Sequence, residues 1–115
     1  MKQHVDILAL LSQARDERDR AAAFSLFSLG VVEALAAGAL TATGAVEAFF
    51  HADNCLYVRR QLRHAVADEI MSRGVQLPDL FEALPAEEAQ REFQRELAAL
   101  RALCLTMLDD QRMAA

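Results

Sequence analysis

Residues 21–38 read AAAFSLFSLGVVEALAAG. One charge, Glu33, interrupts the run; almost every other position is apolar or small. Phe24, Phe27, Val31 and Leu35 recur every three or four residues and form one helical stripe, which Leu26, Leu29 and Val32 widen. A helix apolar almost all round belongs at the centre of its fold. The spacing predicts such a helix from about residue 20 to 37, with Gly38 as the residue that ends it. A membrane span is the rival reading, because residues 21–46 carry no other charge. It is the weaker one. An acid at the midpoint costs roughly 2.5–3.5 kcal/mol on insertion, alanine contributes little insertion energy, and the flank R-D-E-R-D-R at 15–20 is net neutral. We expect no membrane association.

The rest of the chain agrees with a helical reading. It has 115 residues, of which 23 are alanine and 17 leucine, with two isoleucines and no tryptophan. That supply favours helices over strands. The length fits one domain, residues 1–115, able to bury a core without a disulfide or metal. With 54% hydrophobic residues the chain is not a disordered polymer. The net charge of −5 argues against nucleic acid, whose binding is dominated by phosphate neutralisation. Cys55 and Cys104 form no C-x-x-C pair and read as buried thiols of a reducing cytoplasm. The first eleven residues lack the pattern of a signal peptide.

Around the 20–37 helix the pattern predicts four more segments. Val5, Leu8 and Leu11 mark a first helix from about 3 to 15. Whether it fuses with the second is open: a single helix over 4–37 would be about 50 Å long, whereas a turn near 15–20 would make Asp16 or Asp19 an N-cap. Thr41 or Thr43 caps a short helix over 42–51. Asp53 or Asn54 caps a fourth, over 54–73, whose face is Cys55, Val58, Leu62, Val66 and Ile70, with Arg73-Gly74 as its stop. One turn follows at 78–83, where Leu80, Phe81 and Leu84 make a hydrophobic plug, with a partner-docking knob as the lesser alternative. Pro85 then opens a last helix to about 109, with Phe93, Leu97, Leu100, Cys104 and Met107 inward. The fold expected is all-α, a bundle of four to five helices around an alanine-rich central one.

Chemistry is sparse. Glu47 and His51, spaced i, i+4, precede Asp53 and Cys55; with His64 and Asp68 they supply metal-ligand types, but in no known metal-site spacing. The plainer expectation is that Asp53 caps one helix and His51 ends another. Arg59, Arg60 and Arg63, next to His64, make a basic patch that could grip a partner's carboxylates. Its plainer role is to pair with the last helix, since residues 75–115 carry net −4. Glu33 is either a buried functional acid or an edge residue paired with an arginine. The serines at 12, 25, 28 and 72 fall in helices, with no nucleophile elbow. We expect no catalytic residues and no cofactor.

Residues 26–50 read LFSLGVVEALAAGALTATGAVEAFF. This order resembles the opening of a family of short bacterial helical proteins of unknown function, in which a Ser-Leu-Gly helix, an Ala-Leu-x-x-Gly stop, a Ser/Thr-capped connection and an acidic-apolar short helix follow one another. Thr43 and Gly44 stand where that family places acids. The resemblance implies a small cytosolic bacterial protein and carries over no site residues. Eleven arginines against one lysine fit a GC-rich bacterial genome.

The function expected is that of a non-enzymatic interaction or regulatory protein, forming a homodimer because its apolar stripes exceed what one small bundle can bury. An immunity-type partner that neutralises a toxin through its acidic surface is the alternative. A metal-binding bundle is the third.

Overall fold

The computed structural model describes residues 4–113, with side chains through Asp110. Among these the chain forms seven α-helices and no strand: α1 Ile7–Leu11, α2 Glu17–Ala36, α3 Ala42–Ala48, α4 Ala52–Tyr57, α5 Ala65–Val75, α6 Leu77–Ala83 and α7 Ala86–Met113. A π-helical turn, Val58–Leu62, joins α4 to α5.

The first two helices are separate. Asp16 has extended backbone, and its carboxylate accepts from the Asp19 amide at 2.9 Å, so α2 starts on an N-cap with Glu17 and Asp19 in its first turn. The first helix is also shorter than its stripe suggested, since Asp6 caps it and Ser12 closes it. α2 ends as expected. Gly38 takes φ +77°, the Gly38 amide donates to Leu35 O and the Ala39 amide donates to Ala34 O, a Schellman ending. Thr41 then caps α3 through the Gly44 amide.

The predicted fourth helix is two. Arg63 takes a left-handed conformation (φ 53°), its amide reaches back five residues to Val58 O, and His64 has extended backbone that starts α5. No glycine or proline announces this break, because an arginine occupies the left-handed position. α5 ends at Val75, one residue past the expected stop and with Arg73 in its last turn, but Gly74 does not end it by taking positive φ. A Cβ there would come within 2.3–2.5 Å of the Phe50 ring, so this glycine admits Phe50. Arg73 also does more than close a turn. Its guanidinium binds Glu69 at 2.9 Å and both oxygens of Glu96, at 3.1 and 3.2 Å, tying α5 to α7. The hydrogen bond to Glu69, then the charge of Glu96, push its pKa up.

The two long helices carry the architecture. Glu33 pairs with Arg101 at 2.9 Å, while residues around Leu35 and Gly38 share a groove with Gln90 and Phe93. The register is therefore antiparallel. α7, about 42 Å long at 1.5 Å per residue, accounts for most of the 45 Å long axis. The inner side of α2 includes Ala21, Ser25, Ser28 and Val32, spaced four, three and four residues apart and all buried. Leu100, Cys104 and Met107 of α7 are buried in the same core. α2 touches α1, α3, α5 and α7 and is central in that sense. No helix among the described residues is long and apolar enough to cross a membrane.

Candidate functional site

The most densely hydrogen-bonded place outside the helices is where residues 4–7 cross the α3–α4 junction. Asn54, 1% exposed, sits in the first turn of α4. Its side-chain oxygen accepts from the Ile7 amide at 3.0 Å. Its side-chain nitrogen donates to Val5 O at 3.0 Å and to Phe49 O at 2.7 Å. The Val5 amide donates to Ala48 O at 2.7 Å. An extended segment cannot satisfy its own backbone, and Asn54 with Ala48 does so from outside. Ile7 and Leu11 then bury against Phe24 and Phe49.

His51 completes this clasp. Its Nε2 lies 2.7 Å from Val5 O, and its Nδ1 lies 3.4 Å from the Asn54 amide, a long N-cap bond. A carbonyl only accepts and a backbone amide only donates, so Nε2 carries the proton and Nδ1 is bare. His51 therefore starts a helix rather than ending one, and neither Asp53 nor Asn54 is the cap of α4. The His4 ring stacks on His51, with centroids 3.9 Å apart and planes at 14°. Beyond them opens a cleft of about 330 Å³ lined by Asp6, Asp53, Tyr57 and Arg60, with the apolar rim residues Leu8 and Leu56.

Ligand-type side chains thus do converge, but in a different set from the expected one. His4, His51 and Asp53 offer atoms within 4.8 Å of one another, while Glu47 lies on α3, outside this set. The arrangement suits a latch better than a coordination shell. Lone pairs of stacked rings run side by side, so an ion about 2.0–2.1 Å from both nitrogens would lie far out of both ring planes. Both His51 nitrogens are also committed to backbone groups.

The basic patch is divided. Arg60 faces the His51 cleft, whereas Arg59 and Arg63 line a second hollow with His64 and Asp68. Arg59 pairs with Asp68 at 3.6 Å, not with α7. The pairs that α7 makes use Arg73 and Glu33 instead. Glu33 is about half exposed and bound to Arg101, which makes it the edge residue rather than the buried acid. His64 caps α5 through a long contact to the Ala67 amide at 3.5 Å.

Neither thiol is activated. Burial pushes Cys104 up to about 12. Cys55 is only half-buried, not buried as expected; burial still raises its pKa, with Arg59 opposing. In the plug region Leu80 packs on the core, while Phe81 stays exposed with its ring edge-on to Phe93.

Sequence reasoning missed the roles of His4 and Asn54. Asn54 looks like a cap from its neighbours alone; its real partners are 47 and 49 positions away. The chain matches no protein-family model, no curated protein and no solved structure.

Proposed function

We propose that this protein is a small non-enzymatic interaction protein that acts as a homodimer in the cytoplasm. One observation supports the reading: the side of α2 away from the core leaves apolar residues exposed, next to the Glu33–Arg101 pair. On the outward side of α2, Leu26 is 57% exposed, beside the exposed Gly30 and Ala37. One turn past Arg101 on α7, Leu105 is 42% exposed. An isolated exposed leucine means little, but two exposed leucines on packed helices, beside the Glu33–Arg101 pair, are the kind of mixed surface that associates. Two free thiols, both with raised pKa, suit a reducing compartment.

Native mass spectrometry of the unmodified protein tests this. A species at twice the 12.7 kDa chain mass is expected. A spectrum holding only the single-chain mass at micromolar concentration would count against the reading.

A further inference from the structure

Arg59, Arg60 and Arg63 crowd together on a chain of net −5, and the fold separates them. Arg60 faces the His51 cleft. Arg59 and Arg63 stay together and meet His64 at a hollow of about 240 Å³ over the buried Val58. We propose that this hollow binds a phosphoryl group, carried as a phosphate monoester by a small molecule, through Arg59, Arg63 and His64. The site lies within one chain, so it goes beyond the homodimer reading and does not depend on it.

Three side chains supply donors. The Arg63 guanidinium has no hydrogen bond or ion pair among the described residues. His64 accepts from the Ala67 amide through Nδ1, so the neutral ring carries its proton on Nε2, the atom left over to donate. Arg59 is held only by Asp68, at 3.6 Å and with both side chains solvated. That is too long for a hydrogen bond, and a pair so exposed is worth little. Asp68 is the one acid of the lining. Two fixed positive charges therefore face one negative charge that an anion can displace from Arg59.

The number of donors selects the ligand. A carboxylate is satisfied by the fork of a single arginine. A phosphoryl group presents three acceptor oxygens, one for each of these side chains. The volume agrees. Pockets that enclose a whole small molecule run to roughly 300–1,000 Å³. This hollow is smaller, so it takes the charged group and leaves the rest of the molecule outside.

The backbone points the same way. Arg63 closes the π-helical turn with φ 53° and ψ 46°. Glycine adopts that conformation freely and arginine does not. Isolated π-turns and residues held in strained conformations recur at functional sites. No polar group among the described residues uses the Arg63 side chain, and a bound oxyanion would.

The test is a titration of the full-length, 15N-labelled protein at constant ionic strength, following the amides of residues 63–67. Inorganic phosphate and O-phosphoserine are the probes, and acetate is the competitor. Saturable shifts with a Kd on the order of 1 mM are expected for both probes, and acetate should not displace them. Arg63→Gly should raise Kd about 10-fold or more, the loss of one charge-assisted hydrogen bond, with a melting temperature no lower than wild type because the left-handed strain is relieved. Asp68→Asn should lower Kd about threefold by removing the opposing charge. Arg60→Gln removes the same charge on the other side of the turn and should leave Kd unchanged. Several results would overturn the site: no saturable shift, equal competition by acetate, or Arg60→Gln weakening binding as much as Arg63→Gly. A lower melting temperature for Arg63→Gly would assign that arginine to the fold instead of a ligand. Binding of inorganic phosphate without O-phosphoserine would refute the monoester. The chain mass in solution enters none of these readouts, so this site and the homodimer stand or fall separately.

Discussion

The N-terminal clasp and the outward face of α2 look alike as sequence, yet the fold treats them in opposite ways. Both are short apolar stripes, Val5, Ile7 and Leu11 in one case and Leu26, Gly30 and Ala37 in the other. The clasp is closed: a buried asparagine, a histidine and the Ala48 carbonyl hold its extended backbone, and Ile7 and Leu11 go under. The α2 face is open. Its backbone is satisfied within the helix, so no neighbouring chain segment has to cover it, and Leu26 stays 57% exposed. Where the backbone cannot satisfy itself, the fold builds a specific polar partner; where it can, side chains remain available to a second surface.

Breaking what the two regions share has the largest effect. Phe49, 1% exposed, touches the rings of Phe24, Phe27 and Phe50 between clasp and bundle. Phe49→Ala should cost about 3–5 kcal/mol in urea unfolding. Asn54→Ala breaks the clasp alone. It strands the Ile7 amide and takes the Asn54 donor from the Phe49 carbonyl, leaving Val5 O its His51 partner, and should cost about 2–3 kcal/mol. Hydrogen exchange of the Val5 and Ile7 amides should accelerate well beyond that of α2; equal acceleration everywhere would mean the clasp is not a separate unit. Gly74→Ala tests packing outside both regions, and the Phe50 contact predicts a loss of about 1–3 kcal/mol.

Smaller effects sharpen the inner side of α2. The Ser28 hydroxyl is buried with no partner among the described residues, so Ser28→Ala should stabilise by about 1 kcal/mol. Cys104 predicts an alkaline effect. Its folded pKa is raised to about 12 from an ordinary 9.0, so the folded state holds this proton more tightly than the unfolded chain. The associated stability is complete below pH 9 and is lost as pH rises from 9 towards 12. Cys104→Ala should flatten the slope of stability against pH in that window. An unchanged slope would assign it to other groups.

Much of this was legible in the sequence, for identifiable reasons. The all-α class, the Gly38 ending, the Thr41 cap and the inward stripe of α7 follow from local spacing and turn chemistry. The break at Arg63 was not legible, because the left-handed position lacks glycine and the apolar spacing continues across it. The helix end near Gly74 was legible, but the packing reason for this glycine was not, because the Phe50 ring comes from a residue 24 positions away. The clasp was illegible for the same cause: Asn54 and His51 act on Val5 and Ile7 across more than forty residues. Of the residues singled out beforehand, His51 and Asp53 share the cleft with Arg60, while Glu47, Arg59 and Arg63 lie elsewhere.

The central claim is that the open face of α2 is closed by a second copy. Sedimentation equilibrium of the unmodified chain at micromolar concentration tests it most directly. The expected result is a single species of twice the 12.7 kDa chain mass, dissociating on dilution. A fit to the single-chain mass at every concentration would contradict it.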